Sequence, residues 1–273
     1  MGLITNIRTG LKLKNSYLVF EVIKKISNWP IYFLDFFSLI WGKYIVYNMR
    51  NGLKFLVRAK TCDRGVVTAV CIADEYRIND LSLPKNSIVI DIGANIGTFS
   101  VCIAKMAGKV FSYEPVTENY QMLLKNIELN MFNDVTNAFN LAVSGKNGKL
   151  KIYLSEINPG QHSICNVGNK YEEVESIALK DVFDSNNIKQ CDLLKIDTEG
   201  SEYDILYNLP DEYYKKIKRI YLEHHNVNIF LPKNIHNNHN HNYLKIFLEK
   251  RGFNVFMQDN YIFANNNIAY EIQ

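Results

Sequence analysis

Hydrophobic positions change their spacing about a third of the way along the chain. From residue 85 onward, short apolar runs alternate with amphipathic segments, the pattern of a mostly parallel sheet with helices on both faces. Residues 87–91 (SIVID) read as a buried strand, 97–107 as a helix and 109–114 (KVFSYE) as a second strand. A helix over 117–130 follows, with Tyr120, Leu123, Leu124 and Ile127 at helical spacing. Strands are then predicted over 135–143, 149–154 and 174–179, a short helix over 179–185, and core strands over 192–197 (DLLKID) and 217–224 (IKRIYLEH). A helix over 243–251 and a hairpin of 253–257 with 261–264 complete the pattern. Before Pro84 the arrangement differs. Residues 1–28 form a basic, weakly amphipathic helix, 31–41 continue in helix, and two apolar runs, 44–47 and 53–58, flank Asn51-Gly52, a hairpin signal. Residues 66–76 read as helix. The division is an extension over 1–84 and an α/β domain over 85–273.

Composition narrows the field. Hydrophobic residues make up 47% of 273, an ordinary globular mix, and a net charge of +3 without a basic stripe argues against nucleic acid. Five cysteines without a C-x-x-C pair read as free thiols in a reducing cytoplasm. Lysines and Glu21 interrupt any secretory core near the start. The apolar stretch 29–41 is too short to span a bilayer and contains Asp35. Residues 1–43 therefore have two readings, a peripheral membrane contact or a homodimer face. The polar run 233–242 reads as an exposed loop.

The chemistry concentrates in Asp91-Ile92-Gly93-Ala94-Asn95-Ile96-Gly97, which follows a strand and opens a helix. Glycine allows a tight turn and close backbone approach to a ligand. Glu114 ends the next strand, where a carboxylate meets the two hydroxyls of a ribose. A dinucleotide would want G-x-G-x-x-G, but Asn95 interrupts that spacing, and no Gly-Lys-Ser/Thr is present for a P-loop. An acid at the strand end repels phosphate and suits the cationic end of S-adenosylmethionine.

DIGANIGTFS, YEPVTENYQMLLKNIELN and DLLKIDTEGSEYDIL together resemble the FkbM-type methyltransferases, over roughly residues 44–264. The resemblance implies a class I methyltransferase (Rossmann-like) fold: a doubly wound, mostly parallel sheet with an antiparallel C-terminal hairpin, here carrying an N-terminal helical and hairpin extension. It implies S-adenosylmethionine as donor and usually O-methylation of a sugar, glycolipid or secondary-metabolite hydroxyl. By position, Asp91, Gly93, Asn95 and Gly97 would line the methionine moiety, Glu114 would bind ribose, and Pro115 and Asn119 would shape the adenosine side. Asp197, Glu199 and Glu202 would lie beside the transfer site.

Methyl transfer from a sulfonium needs alignment, and an alcohol acceptor must also lose a proton. Asp197 ends a core strand, and His224 or His225 ends the next, so these are the expected positioning and base residues, with Glu199 beside them. Acids at a helix start also stabilise its dipole, the structural alternative for Glu199 and Glu202. His162 lies in a loop that would cover the site. Asp197, Glu223 and His224 could gather a divalent metal, and His236, His239 and His241 a zinc ion; neither is predicted. Two other functions compete: a nucleoside-binding module without turnover, and another nucleotide-using α/β enzyme such as a dehydrogenase.

Overall fold

The computed structural model describes residues 16–153, 171–225 and 240–266. Its centre is a seven-stranded sheet. The strands are β3 (Ile88–Ile92), β4 (Lys109–Tyr113), β5 (Thr136–Phe139), β9 (Leu193–Ile196), β10 (Arg219–Glu223), β11 (Phe253–Gln258) and β12 (Tyr261–Asn266), in the order β11-β12-β10-β9-β3-β4-β5. β3, β4, β5, β9 and β10 run parallel; β12 is antiparallel to both β10 and β11. This is the class I methyltransferase fold, and the order reverses between β3 and β9, where such sheets open a crevice at their carboxyl ends. β3 and β9 are covered on both faces, which is why SIVID and DLLKID are continuous apolar runs rather than alternating ones.

Helix α4 (Thr98–Ala104) follows β3, and α5 (Thr117–Leu129) follows β4. Leu123 and Ile127 of α5 face inward beside Ile96 and Val101. On the other face α6 (Leu179–Ser185), α7 (Glu202–Tyr207), α8 (Asp211–Tyr214) and α9 (His241–Glu249) bury Val182, Phe183, Leu206, Tyr214 and Leu244 against the sheet.

The extension comprises α1 (Ser16–Lys25), α2 (Trp29–Phe36), the hairpin β1 (Tyr44–Asn48) and β2 (Lys54–Arg58), and α3 (Asp63–Val67). The hairpin forms around Asn51-Gly52, where Gly52 has φ +93°. It is built into the same core as α5: Asn126 donates to Leu56 O at 3.0 Å and accepts from Leu56 N at 2.6 Å, and Val22, Ile26, Phe55 and Leu123 share one cluster. Among the described residues no helix is long and apolar enough to cross a membrane. Tyr17, Phe20, Phe37, Leu39 and Trp41 nevertheless lie exposed on the extension.

Three predicted elements differ. The strand over 135–143 is two: β5 ends at Phe139, and β6 (Ala142–Ser144) joins β7 (Gly148–Tyr153) and β8 (Tyr171–Ala178) in a separate three-stranded sheet. Asn140 makes the break, its amide donating to Glu114 O and Pro115 O at 3.0 and 2.8 Å. The helix over 66–76 begins at Asp63 and widens into a π-helix over Thr68–Ile72, where Ala73 N bonds Thr68 O at 2.8 Å. The helix over 31–41 stops at Phe36, because Ser38 turns left-handed at φ 58° and Leu39 N returns to Leu34 O. The loop around His162, together with His236 and His239, lies outside the described residues.

Candidate active site

Sheet register explains how the site is built. Asp91 stands opposite Lys195 on β9 and Ser112 on β4, and in-register neighbours on parallel strands project to one face. The fully buried Asp91 takes an ion pair from Lys195 at 3.1 Å and a hydrogen bond from Ser100 Oγ at 2.5 Å. Lys195 Nζ also donates to Gly93 O at 2.8 Å and faces Asp197 at 3.7 Å. Burial works against the ammonium, but Asp91 and Asp197 outweigh it and hold Lys195 above its ordinary range.

A cavity of about 400 Å³ opens over the carboxyl ends of β3, β4 and β9. That is large enough for a nucleoside-sized ligand. Gly93, Asn95, Glu114, Pro115 and Asn119 line one end. Glu75, Tyr76, Asp197, Glu199, Glu223 and Tyr261 line the other. Glu114 is 5% exposed, with Oε2 accepting from Asn95 N at 2.8 Å and Oε1 from Val116 N at 2.9 Å. Burial pushes its carboxyl up to about 7, and the two backbone donors pull against that. A carboxylate has about four lone-pair sites, so each oxygen keeps one for a ligand hydroxyl. Asn95 is left-handed at φ 52°, and its buried Oδ1 has no hydrogen-bond partner. Asn119 Oδ1 accepts from Arg58 Nη2 at 2.7 Å, and Arg58 is held by both oxygens of Asp63 at 2.9 and 2.8 Å. The hairpin thereby buttresses the cavity wall at Asn119.

Gly93 and Gly97 serve packing as well as the turn. A Cβ on Gly93 (φ +74°) would stand 1.7 Å from Asp197 O, and one on Gly97 (φ +85°) would stand 2.5 Å from Leu123 Cδ1. Gly97 and Asp91 do not line the cavity. In the fold Asp91 is enclosed by Lys195 and Ser100, and Gly97 admits α5.

The acidic end is organised by His225. Its Nδ1 lies 2.7 Å from Glu202 Oε1, and its Nε2 lies 3.3 Å from Glu199 and 4.0 Å from Glu223. Burial opposes charge on this imidazole, but Glu202 and then Glu199 hold its pKa well above 6.5. Burial raises Glu199 to about 7, with His225 opposing. Burial, reinforced by Asp197, raises Glu223 to about 8. Tyr76 Oη donates to Asp197 at 2.9 Å, and Tyr261 Oη donates to Glu75 at 2.5 Å and Glu223 at 3.3 Å. His224 points elsewhere: it is buried, stacks on His241 with ring centroids 5.0 Å apart, and is held near 4 by burial and then His241. Neither His224 nor His225 lines the cavity itself; His225 reaches it through Glu199 and Glu223.

Lys195, Arg58, Glu75, Tyr76 and Tyr261 escaped the sequence reading as site residues. Only Lys195 carried a signal, as the one charge inside an otherwise apolar strand, LLKI.

Fold and site together define a methyltransferase of class I type. The chain belongs to the FkbM methyltransferase family: the family model described as Methyltransferase FkbM domain matches residues 91–266. Methyltransferase sdnD of Sordaria araneosa is 25% identical over 207 residues, covering 64% of this chain and 76% of that protein. Hexuronic acid methyltransferase AglP of Haloferax volcanii is 24% identical over 123 residues, 45% of this chain and 49% of that one. Among solved structures, magnesium protoporphyrin IX methyltransferase (ChlM) of Synechocystis with bound SAM aligns with a TM-score of 0.39 at 14% identity, covering 75% of this chain and 82% of the other. Precorrin-6y C5,15-methyltransferase of Geobacter metallireducens aligns with a TM-score of 0.41 at 12% identity, covering 70% and 84%.

Proposed function

We propose that the chain binds S-adenosylmethionine in this cavity and methylates a hydroxyl of a sugar, glycolipid or secondary metabolite. The observation that carries the donor reading is Glu114: a buried carboxylate at a strand end, held by two backbone N–H groups, with acceptor capacity left toward the cavity. Two ribose hydroxyls match that capacity. Asn95 offers its unpartnered Oδ1 to a donor group of the ligand, and Pro115 and Asn119 bound the adenosine side. When bound, the donor supplies a methyl carbon already activated by positive sulfur. The protein's part is alignment, water exclusion and removal of one proton. Asp197, held by Tyr76 and Lys195, orients the acceptor hydroxyl, and Glu199, which lines the cavity and is backed by His225, takes its proton. AglP acts on a hexuronic acid, by its name, which favours sugars as the first acceptors to try.

Calorimetry should give binding of S-adenosylmethionine and S-adenosylhomocysteine but not NAD. A screen of sugar and lipid-linked acceptors with labelled donor should yield a methylated product. Glu199→Gln should slow turnover by about 100-fold or more while donor affinity stays within about threefold. Equal turnover by the variant would remove Glu199 from the proton path, and no donor binding would remove the whole reading.

A further inference from the structure

Among the described residues, Asp197, Glu223 and His225 each bring one ligating atom within 4.8 Å of the other two. They come from neighbouring strand ends, Asp197 after β9 and Glu223 with His225 at the end of β10, so the sheet itself sets their spacing. Oxygen and nitrogen ligands about 2.1–2.2 Å from one ion stand about 3.0 Å apart as neighbours and about 4.3 Å apart across it. A small inward adjustment of three side chains reaches that geometry.

The imidazole is already aimed. Glu202 is fully buried and holds Nδ1 at 2.7 Å, which leaves Nε2 directed at Glu199 and Glu223. A histidine ligand fixed through its other nitrogen by a carboxylate is the usual support of a metal-bound imidazole. The second oxygen of that carboxylate, Glu202 Oε2, is buried and has no hydrogen-bond partner. This part of the cavity therefore concentrates negative charge: Glu75, Asp197, Glu199 and Glu223 line it, with Glu202 behind. Lys195, the nearby ammonium, is closer to Asp91 than to Asp197, 3.1 against 3.7 Å.

We propose that Asp197, Glu223 and His225 bind a divalent cation of the Mn²⁺ type at the acceptor end of the cavity, the ion displacing to solvent the Nε2 proton of His225 and any proton on Glu223. Two hard carboxylate oxygens suit Mg²⁺ and Mn²⁺, and the imidazole nitrogen shifts the preference toward Mn²⁺. Resting on the reading of this end as the acceptor pocket, the ion coordinates the acceptor oxygen, lowers the pKa of that hydroxyl and orients it. Glu199, beside the ion, receives the released proton. The requirement is most natural for an acceptor with two adjacent oxygens, such as a vicinal diol or a hydroxy acid, because both can enter the open positions of one ion.

The test is an electron paramagnetic resonance titration of the full chain with Mn²⁺ alone, without methyl donor. One ion should bind per chain at or below about 1 mM. Pulsed measurement on the wild-type protein should show coupling to one imidazole nitrogen. Glu223→Gln and His225→Ala should each weaken Mn²⁺ about tenfold or more. Circular dichroism and binding of S-adenosylhomocysteine verify that each variant is folded, and the wild-type nitrogen coupling decides the question if neither folds. No binding up to that concentration, binding without nitrogen coupling, or binding undiminished in folded variants overturns the proposal. Donor affinity measured separately by calorimetry keeps the two readings apart: absent donor binding defeats the methyltransferase reading, and absent Mn²⁺ binding defeats only the ion.

Discussion

Replacing Glu114 by Gln separates ligand recognition from folding at one atom pair. In the native chain both carboxylate oxygens accept backbone N–H groups, from Asn95 at 2.8 Å and Val116 at 2.9 Å. Gln keeps one acceptor and sets an NH₂ against the other donor. Its remaining oxygen cannot serve a backbone N–H and two ribose hydroxyls with the strength of an anion. Losing two charge-assisted bonds and gaining weaker ones costs about 3 kcal/mol of donor binding, roughly a hundredfold in Kd. Stability moves differently. Burial holds the carboxyl up to about 7 rather than 4.5, so above pH 7 the ionised form burdens the unliganded fold by about 3 kcal/mol. Gln removes that cost and leaves one buried N–H without an acceptor, about 1–3 kcal/mol in the other direction. The two nearly cancel. Calorimetry with S-adenosylhomocysteine and urea unfolding at pH 8 measure both quantities on the same sample. Donor affinity within threefold of wild type would refute the ribose assignment. A loss of stability larger than the loss of binding would show that Glu114 serves the turn and not a ligand.

Four further outcomes follow from the same geometry. Because the raised Glu114 pKa marks a stability contribution present below 4.5 and lost as pH rises through about 7, wild-type unliganded stability should decline across that window, and Glu114→Gln should flatten its share of the decline; urea midpoints against pH measure it. Donor binding needs the carboxylate, so Kd should weaken about tenfold per unit below pH 7, with proton release visible as a buffer-dependent heat. Gly93→Ala forces a methyl to 1.7 Å from Asp197 O at a left-handed φ, and should cost about 3 kcal/mol or more and disturb both ends of the cavity; a urea midpoint equal to wild type would contradict the packing. Lys195→Met strands the fully buried Asp91 and should destabilise by about 3–5 kcal/mol at pH 7, measured by urea unfolding; a midpoint equal to wild type would contradict the pairing.

The exposed apolar side chains of the extension follow from its local pattern, but the pattern does not say what they are for. Its packing role is clearer in three dimensions. Arg58 reaches Asn119 across 61 positions of sequence, and Asn126 brackets Leu56 across 70, so the hairpin backs the helix that carries Asn119 to the cavity although it precedes the family domain.

Local sequence was sufficient for the doubly wound sheet, because buried parallel strands must be apolar throughout and the helices between them must be apolar on one side. It was sufficient too for the glycine turn and for Glu114, whose placement depends on one strand, one turn and the next strand. Residues 135–143 could not be divided from local pattern, since the break is made by Asn140 bonding carbonyls some 25 positions earlier. The choice between the two adjacent histidines was beyond local pattern for the same reason. His224 and His225 are adjacent in the chain, yet strand register turns one toward His241 and the other toward Glu202 and Glu199. Nothing local in SIVID indicates that Asp91 pairs with Lys195, more than 100 positions later. Which charges meet, and therefore which remain for a ligand, depends on neighbours that only the folded sheet brings together.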